Sequence, residues 1–68
     1  MKLGELLQAK RKELRFTQTD IANYLVVSPN YVSDVECCRK IPADFHRLLK
    51  WAMYLGISMP ELLLTEES

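Results

Sequence analysis

The sequence predicts an all-α fold of five short helices. Apolar residues recur at three- and four-residue spacing along most of the 68-residue chain, and no stretch alternates with the period of a strand. Helix-start signals recur: Thr17, Ser28, Asp44 and Ser58 each stand ahead of an apolar-periodic run. Pro42 and Gly56 punctuate the second half of the chain.

Each helix follows from its residues. The first runs from about Lys2 to Leu14, with Leu3, Leu6, Leu7, Lys10/Arg11 and Leu14 on one stripe. The second covers roughly 18–25. Thr17 caps it, Asp20 can reach back to the Thr17 amide as a capping box, and Ile21, Ala22 and Leu25 form its apolar face. The third covers roughly 29–37. Ser28 caps it, and Pro29 takes the first helical position, where a missing N–H costs nothing. Val32 and Val35 carry its buried face. The fourth runs from Ala43 or Phe45 to Leu55, with Asp44 a candidate cap and Gly56 the stop. The fifth starts at a second capping box, Ser58-Met59-Pro60-Glu61, and ends near Leu64. Thr65–Ser68 reads as a polar, frayed tail. The expected core is Leu3, Leu7, Leu14, Ile21, Ala22, Leu25, Val27, Val32, Val35, Leu48, Trp51, Ala52, Leu55, Ile57 and Leu62.

Composition bounds the function. The chain is 49% hydrophobic and 26% charged, as in globular domains and unlike disordered ones. One domain over residues 1–68 is expected, near the lower limit of independent folding. No apolar run approaches the ~20 residues of a membrane span. Met1-Lys2-Leu3-Gly4-Glu5 lacks a signal core, so a cytoplasmic protein with no membrane partner is expected. Net charge is zero, but it is unevenly spread. Residues 1–15 carry five bases against two acids, and residues 16–38 carry three acids and no base. Residues 39–50 carry four bases against one acid, and residues 51–68 three acids. Lys2, Lys12 and Lys50 read as solvated surface charge.

Between the faces of the second and third helices, ahead of the Ser28 cap, lie only Val26 and Val27. Helices joined so closely cannot lie antiparallel. They cross steeply, as a helix-turn-helix motif over about 17–37. In that motif the second helix protrudes and can enter the major groove of double-stranded DNA. Gln18 after Thr17, Ile21-Ala22, Val27-Ser28, Tyr31-Val32-Ser33 and Val35-Glu36 resemble the Cro/phage-repressor (XRE-type) helix-turn-helix family. Arg11 upstream, Pro42 downstream and Leu55-Gly56-Ile57-Ser58 extend the resemblance over residues 3–64. It implies a five-helix, lambda-repressor-like DNA-binding domain. The family usually has glycine where this chain has Arg15 and Cys38, at helix ends that favour a left-handed residue.

Pro29, Asn30, Ser33 and Asp34 fall opposite Val32 and Val35 on the third helix. Asn30 can pair bidentately with adenine, Ser33 suits several bases, and Pro29 offers an apolar contact. Asp34 can accept from cytosine N4, or instead repel phosphate or make a local ion pair. The resemblance implies base contacts at Pro29, Asn30 and Asp34. Gln18 sits where a helix N-terminus favours a phosphate oxygen, as the family's matching glutamine does. Tyr31 reads two ways, as a phosphate donor or as a tyrosine packed on the fold. Arg39 and Lys40 lie in a loop that faces phosphates in this family. Thr17 and Ser28, the caps of the two motif helices, complete the expected DNA-binding set. Family counterparts of Arg11 and Glu36 form a partly buried structural ion pair.

Other chemistry is excluded or left bare. Adjacent Cys37 and Cys38 cannot comfortably share a metal ion, and His46 has no second histidine to complete a set. A vicinal disulfide is strained and disfavoured in a reducing compartment. No metal and no cofactor are expected. No nucleophile–base pair, paired carboxylate or glycine-rich phosphate loop is present, so the chain does not read as an enzyme. Met59, Leu63 and Leu64 exceed what the fifth helix can bury in its own domain, and read as a homodimer interface. The expected function is a sequence-specific repressor that binds a palindromic operator as a homodimer. The alternatives are an antitoxin of the same fold with a protein partner, or an interaction module that no longer binds DNA.

Overall fold

The computed structural model describes residues 2–42 and 44–65. Five helices follow one another: α1 (Leu3–Glu13), α2 (Gln18–Leu25), α3 (Pro29–Glu36), α4 (Phe45–Tyr54) and α5 (Met59–Leu63). The Ala43 start considered for the fourth helix and residues 66–68 of the polar tail lie outside the described residues.

Local chemistry starts each helix. Thr17 Oγ1 accepts the Asp20 amide at 3.0 Å, and Asp20 Oδ2 accepts the Thr17 amide at 2.9 Å. Ser28 Oγ accepts the Tyr31 amide at 3.2 Å. Asp44 Oδ1 accepts the amides of His46 and Arg47, at 3.0 and 3.4 Å. Ser58 Oγ accepts the Glu61 amide at 3.3 Å. The reciprocal half of the expected box at Ser58 is replaced: the Glu61 carboxylate pairs with Lys10 Nζ at 3.5 Å and ties α5 to α1.

The helix ends share one device. After each of the first four helices a residue takes positive φ: Arg15 at 62°, Val26 at 58°, Cys38 at 63° and Gly56 at 72°. The next amide then bonds back five residues, Phe16 to Arg11, Val27 to Ala22, Arg39 to Asp34 and Ile57 to Ala52, at 2.8–3.0 Å. These bonds satisfy carbonyls that a helix end otherwise leaves bare. Phe16, Val27 and Ile57 follow their turns into the core, whereas Arg39 faces solvent.

All five helices pack on one core, with Trp51, Leu7, Ile21, Val32 and Val35 fully buried at its centre. Leu3, Val27 and Leu48 are half-buried against it. Leu14, expected in the core, is 46% exposed. It is the C-cap residue of α1, and the left-handed turn at Arg15 sends Phe16 inward in its place. Leu6, absent from the expected core, is buried. Gly4 lies so close to α3 that a Cβ there would meet the Val35 carbonyl oxygen, so α1 packs backbone to backbone on the last turn of α3. Tyr54 of α4 stacks between Tyr24 of α2 and Phe16, with ring centroids 4.1 and 5.0 Å away. No helix of the described residues is long and apolar enough to cross a membrane.

Candidate nucleic-acid interface

Ile21, Ala22 and Leu25 of α2 are buried together with Val32 and Val35 of α3. The shortness of the turn between them rests on the left-handed Val26. Burying that face leaves the other side of α3 outward: Pro29 and Asn30 are exposed, Ser33 and Asp34 half-buried. Thr17 and Ser28 are exposed at the N-termini of α2 and α3, their hydroxyl oxygens occupied as caps.

A buried network fixes α3 against the other two helices. Arg11 Nε donates to Glu36 Oε2 at 2.7 Å and Arg11 Nη2 to Glu36 Oε1 at 3.1 Å, a bidentate pair. Arg11 Nη1 donates to the Phe16 carbonyl at 2.8 Å. Gln18 Nε2 donates to Glu36 Oε1 at 3.1 Å. The single carboxylate of Glu36 therefore holds α1, α2 and α3 in register. Gln18, expected to reach outward to phosphate, spends one side-chain N–H inside the protein. It keeps its second amide hydrogen, its carbonyl oxygen and its place at the first position of α2.

Tyr31 is half-buried, its ring 6.5 Å from that of Trp51. Lys40 Nζ and the Arg47 guanidinium each lie 5.8 Å from the Tyr31 ring centroid. Tyr31 is thus packed on the fold beneath two cations. Arg47 was not singled out by its sequence position, which shows only a base in the first turn of a helix. Asp34 Oδ1 accepts from Arg39 Nε at 3.1 Å, and its Oδ2 lies 3.9 Å from Lys40 Nζ. The two loop cations expected to meet phosphate are therefore held at α3 by its own acid.

A second surface lies on α4 and α5. Met59, Leu63 and Leu64 are exposed, whereas Leu62 is buried. Phe45 and Met53 of α4 are exposed beside them. Two apolar grooves, of about 320 and 310 Å³, flank Met59 and Leu62; Ile41, Phe45 and Leu63 line one, and Leu49, Met53 and Ile57 the other. Phe45, Leu49 and Met53 recur every four residues, a stripe legible in the sequence beside the core stripe of Leu48, Trp51, Ala52 and Leu55. Cys37 and Cys38 are free thiols.

The fold is that of a helix-turn-helix domain, and the comparisons with known proteins place it among DNA-binding regulators. The helix-turn-helix family model matches residues 7–62, and the chain belongs to this family, in its Cro/phage-repressor (XRE-type) branch. Among its relatives is the "ImmF control region 10 kDa protein" of Bacillus phage phi105, 37% identical over 65 residues, which make up 96% of this chain and 71% of the relative. No solved structure matches the chain.

Proposed function

We propose that this protein is a transcriptional repressor that reads a palindromic operator as a homodimer in the cytoplasm. The observation that carries the reading is the outward face of α3. Pro29, Asn30, Ser33 and Asp34 stand clear of the core on a helix whose other side is locked by Glu36. Asn30 and Ser33 supply the donors and acceptors that base edges require in the major groove. Thr17, Gln18 and Ser28 flank that face as backbone contacts, with Arg39 and Lys40 beside them and Tyr31 packed beneath Lys40. The control-region name of the phage relative supports a role in gene control.

Dimerisation is part of the proposal. A neutral chain has little bulk attraction to DNA, so one half-site binds weakly. Joining two copies raises the effective concentration of the second reader. Met59, Leu63 and Leu64, with Phe45 and Met53 added, form the apolar face available for this. The test is footprinting on the DNA upstream of the protein's own gene. The expected result is protection of an inverted repeat whose half-site centres lie about 10 base pairs apart, one helical turn. Uniform protection that vanishes at moderate salt would contradict a sequence-specific reader.

A further inference from the structure

Asp34 does two things at once in the free protein. Its main-chain carbonyl accepts the amides of Arg39 and Lys40, at 2.8 and 3.2 Å. Its carboxylate takes the Arg39 side chain at 3.1 Å and has Lys40 Nζ 3.9 Å away. The left-handed Cys38 folds the loop back over α3 and makes both contacts possible. Glu36, the other acid of α3, is buried and matched by Arg11. Asp34 is thus the acid on the outward side of the helix. The side chains of Arg39 and Lys40 remain 62% and 58% exposed, so either cation can leave Asp34 without any repacking of the core.

We infer that Asp34 sets sequence specificity by sequestering Arg39 and Lys40 until α3 meets its proper bases. This rests on the reading of α3 as a DNA reader. Non-specific binding is almost wholly phosphate neutralisation with release of counterions. A cation held by Asp34 contributes little to it. Moving Arg39 and Lys40 onto phosphates leaves the Asp34 carboxylate unpaired beside a polyanion. The exchange is favourable only where the groove offers that carboxylate a new donor, and the amino groups of cytosine N4 and adenine N6 are the donors present there. Correct bases therefore release two phosphate-binding cations, and wrong bases leave them withheld. One base contact is amplified into backbone affinity, and the ratio of specific to non-specific binding rises.

Asp34→Asn tests this, since it removes the charge while the backbone carbonyl still holds the loop. Binding is followed by anisotropy across a potassium chloride series. The probes are a random-sequence 20-base-pair duplex and a duplex selected by the wild-type protein; circular dichroism verifies the fold. On the random duplex the variant should bind about tenfold more tightly at low salt, with a salt slope steeper by up to about two units. On the selected duplex the gain should be smaller or absent. Adding Arg39→Ala and Lys40→Ala should return random-duplex binding to the wild-type level or below. An unchanged affinity and slope for Asp34→Asn overturns the inference. So does a gain that survives in the triple variant, which would mean direct repulsion of phosphate by Asp34. Failure of the wild-type protein to select any duplex contradicts the reading of α3 itself, a result distinct from both.

Discussion

Val26 is the residue whose side chain and backbone disagree most. It holds φ at 58°, where a β-branched side chain is crowded, and it is 86% exposed, so it recovers almost nothing by burial. The left-handed region costs an L-residue roughly 1–2 kcal/mol, and glycine gives part of that back through its freer unfolded state. Val26→Gly should stabilise the protein by about 1 kcal/mol and raise Tm by about 4–8 °C. A calorimetric Tm equal to or below that of the natural chain would show that the turn is unstrained. The positive φ at Arg15 and Cys38 was legible because those residues end helices, at positions where the family resemblance implies glycine. At Val26 neither residue type nor pattern announces it. The constraint comes from the steep crossing of α2 and α3, which leaves only Val26, Val27 and Ser28 to turn the chain.

At the scale of the elements, Glu36 joins three helices through one buried carboxylate. Removing one partner of a buried ion pair leaves the other uncompensated, at about 3–5 kcal/mol. That is a large share of the stability of a domain this small. Glu36→Ala should therefore be mostly unfolded at room temperature, as read by urea titration with circular dichroism. Arg11→Met combined with Glu36→Leu should be less damaged than Glu36→Ala, because no charge is stranded. A loss of unfolding free energy of less than about 1 kcal/mol in Glu36→Ala would contradict the bracing role. The helices themselves were readable because each start is written in a few consecutive residues, such as Thr17 to Asp20 or Ser28-Pro29. What joins them was less so. The bond from Gln18 spans eighteen residues to Glu36, and Arg47 reaches Tyr31 from another helix. Neither spacing has a local signature. Leu14 failed as a core residue for a related reason: its stripe is correct, but the helix stops one residue earlier and the chain turns.

At the scale of the molecule, the described body measures 26 × 22 × 20 Å. Half-sites one turn apart are about 34 Å from centre to centre, more than the longest extent of one body, so contact between two copies requires their centres to lie closer together than the half-sites they read. Leu63 is 76% exposed on the proposed seam, whereas Leu62 is buried in the core. Leu63→Lys should give a folded monomer with weakened operator binding, and Leu62→Lys should unfold the chain. Sedimentation decides between seam and ornament: a Leu63→Lys protein that remains dimeric, free and on DNA, refutes the α5 seam.

The central claim is that the outward face of α3 reads bases, and Asn30 is its most direct reporter. Selection from a random duplex library should be run in parallel with the natural protein and Asn30→Ala. The natural protein should enrich one inverted repeat. Asn30→Ala should enrich the same repeat with the preference relaxed at a single symmetry-related base pair, by about 1–3 kcal/mol of discrimination. Profiles that coincide at every position would remove Asn30 from the readout, and a natural protein that enriches nothing would contradict the account as a whole.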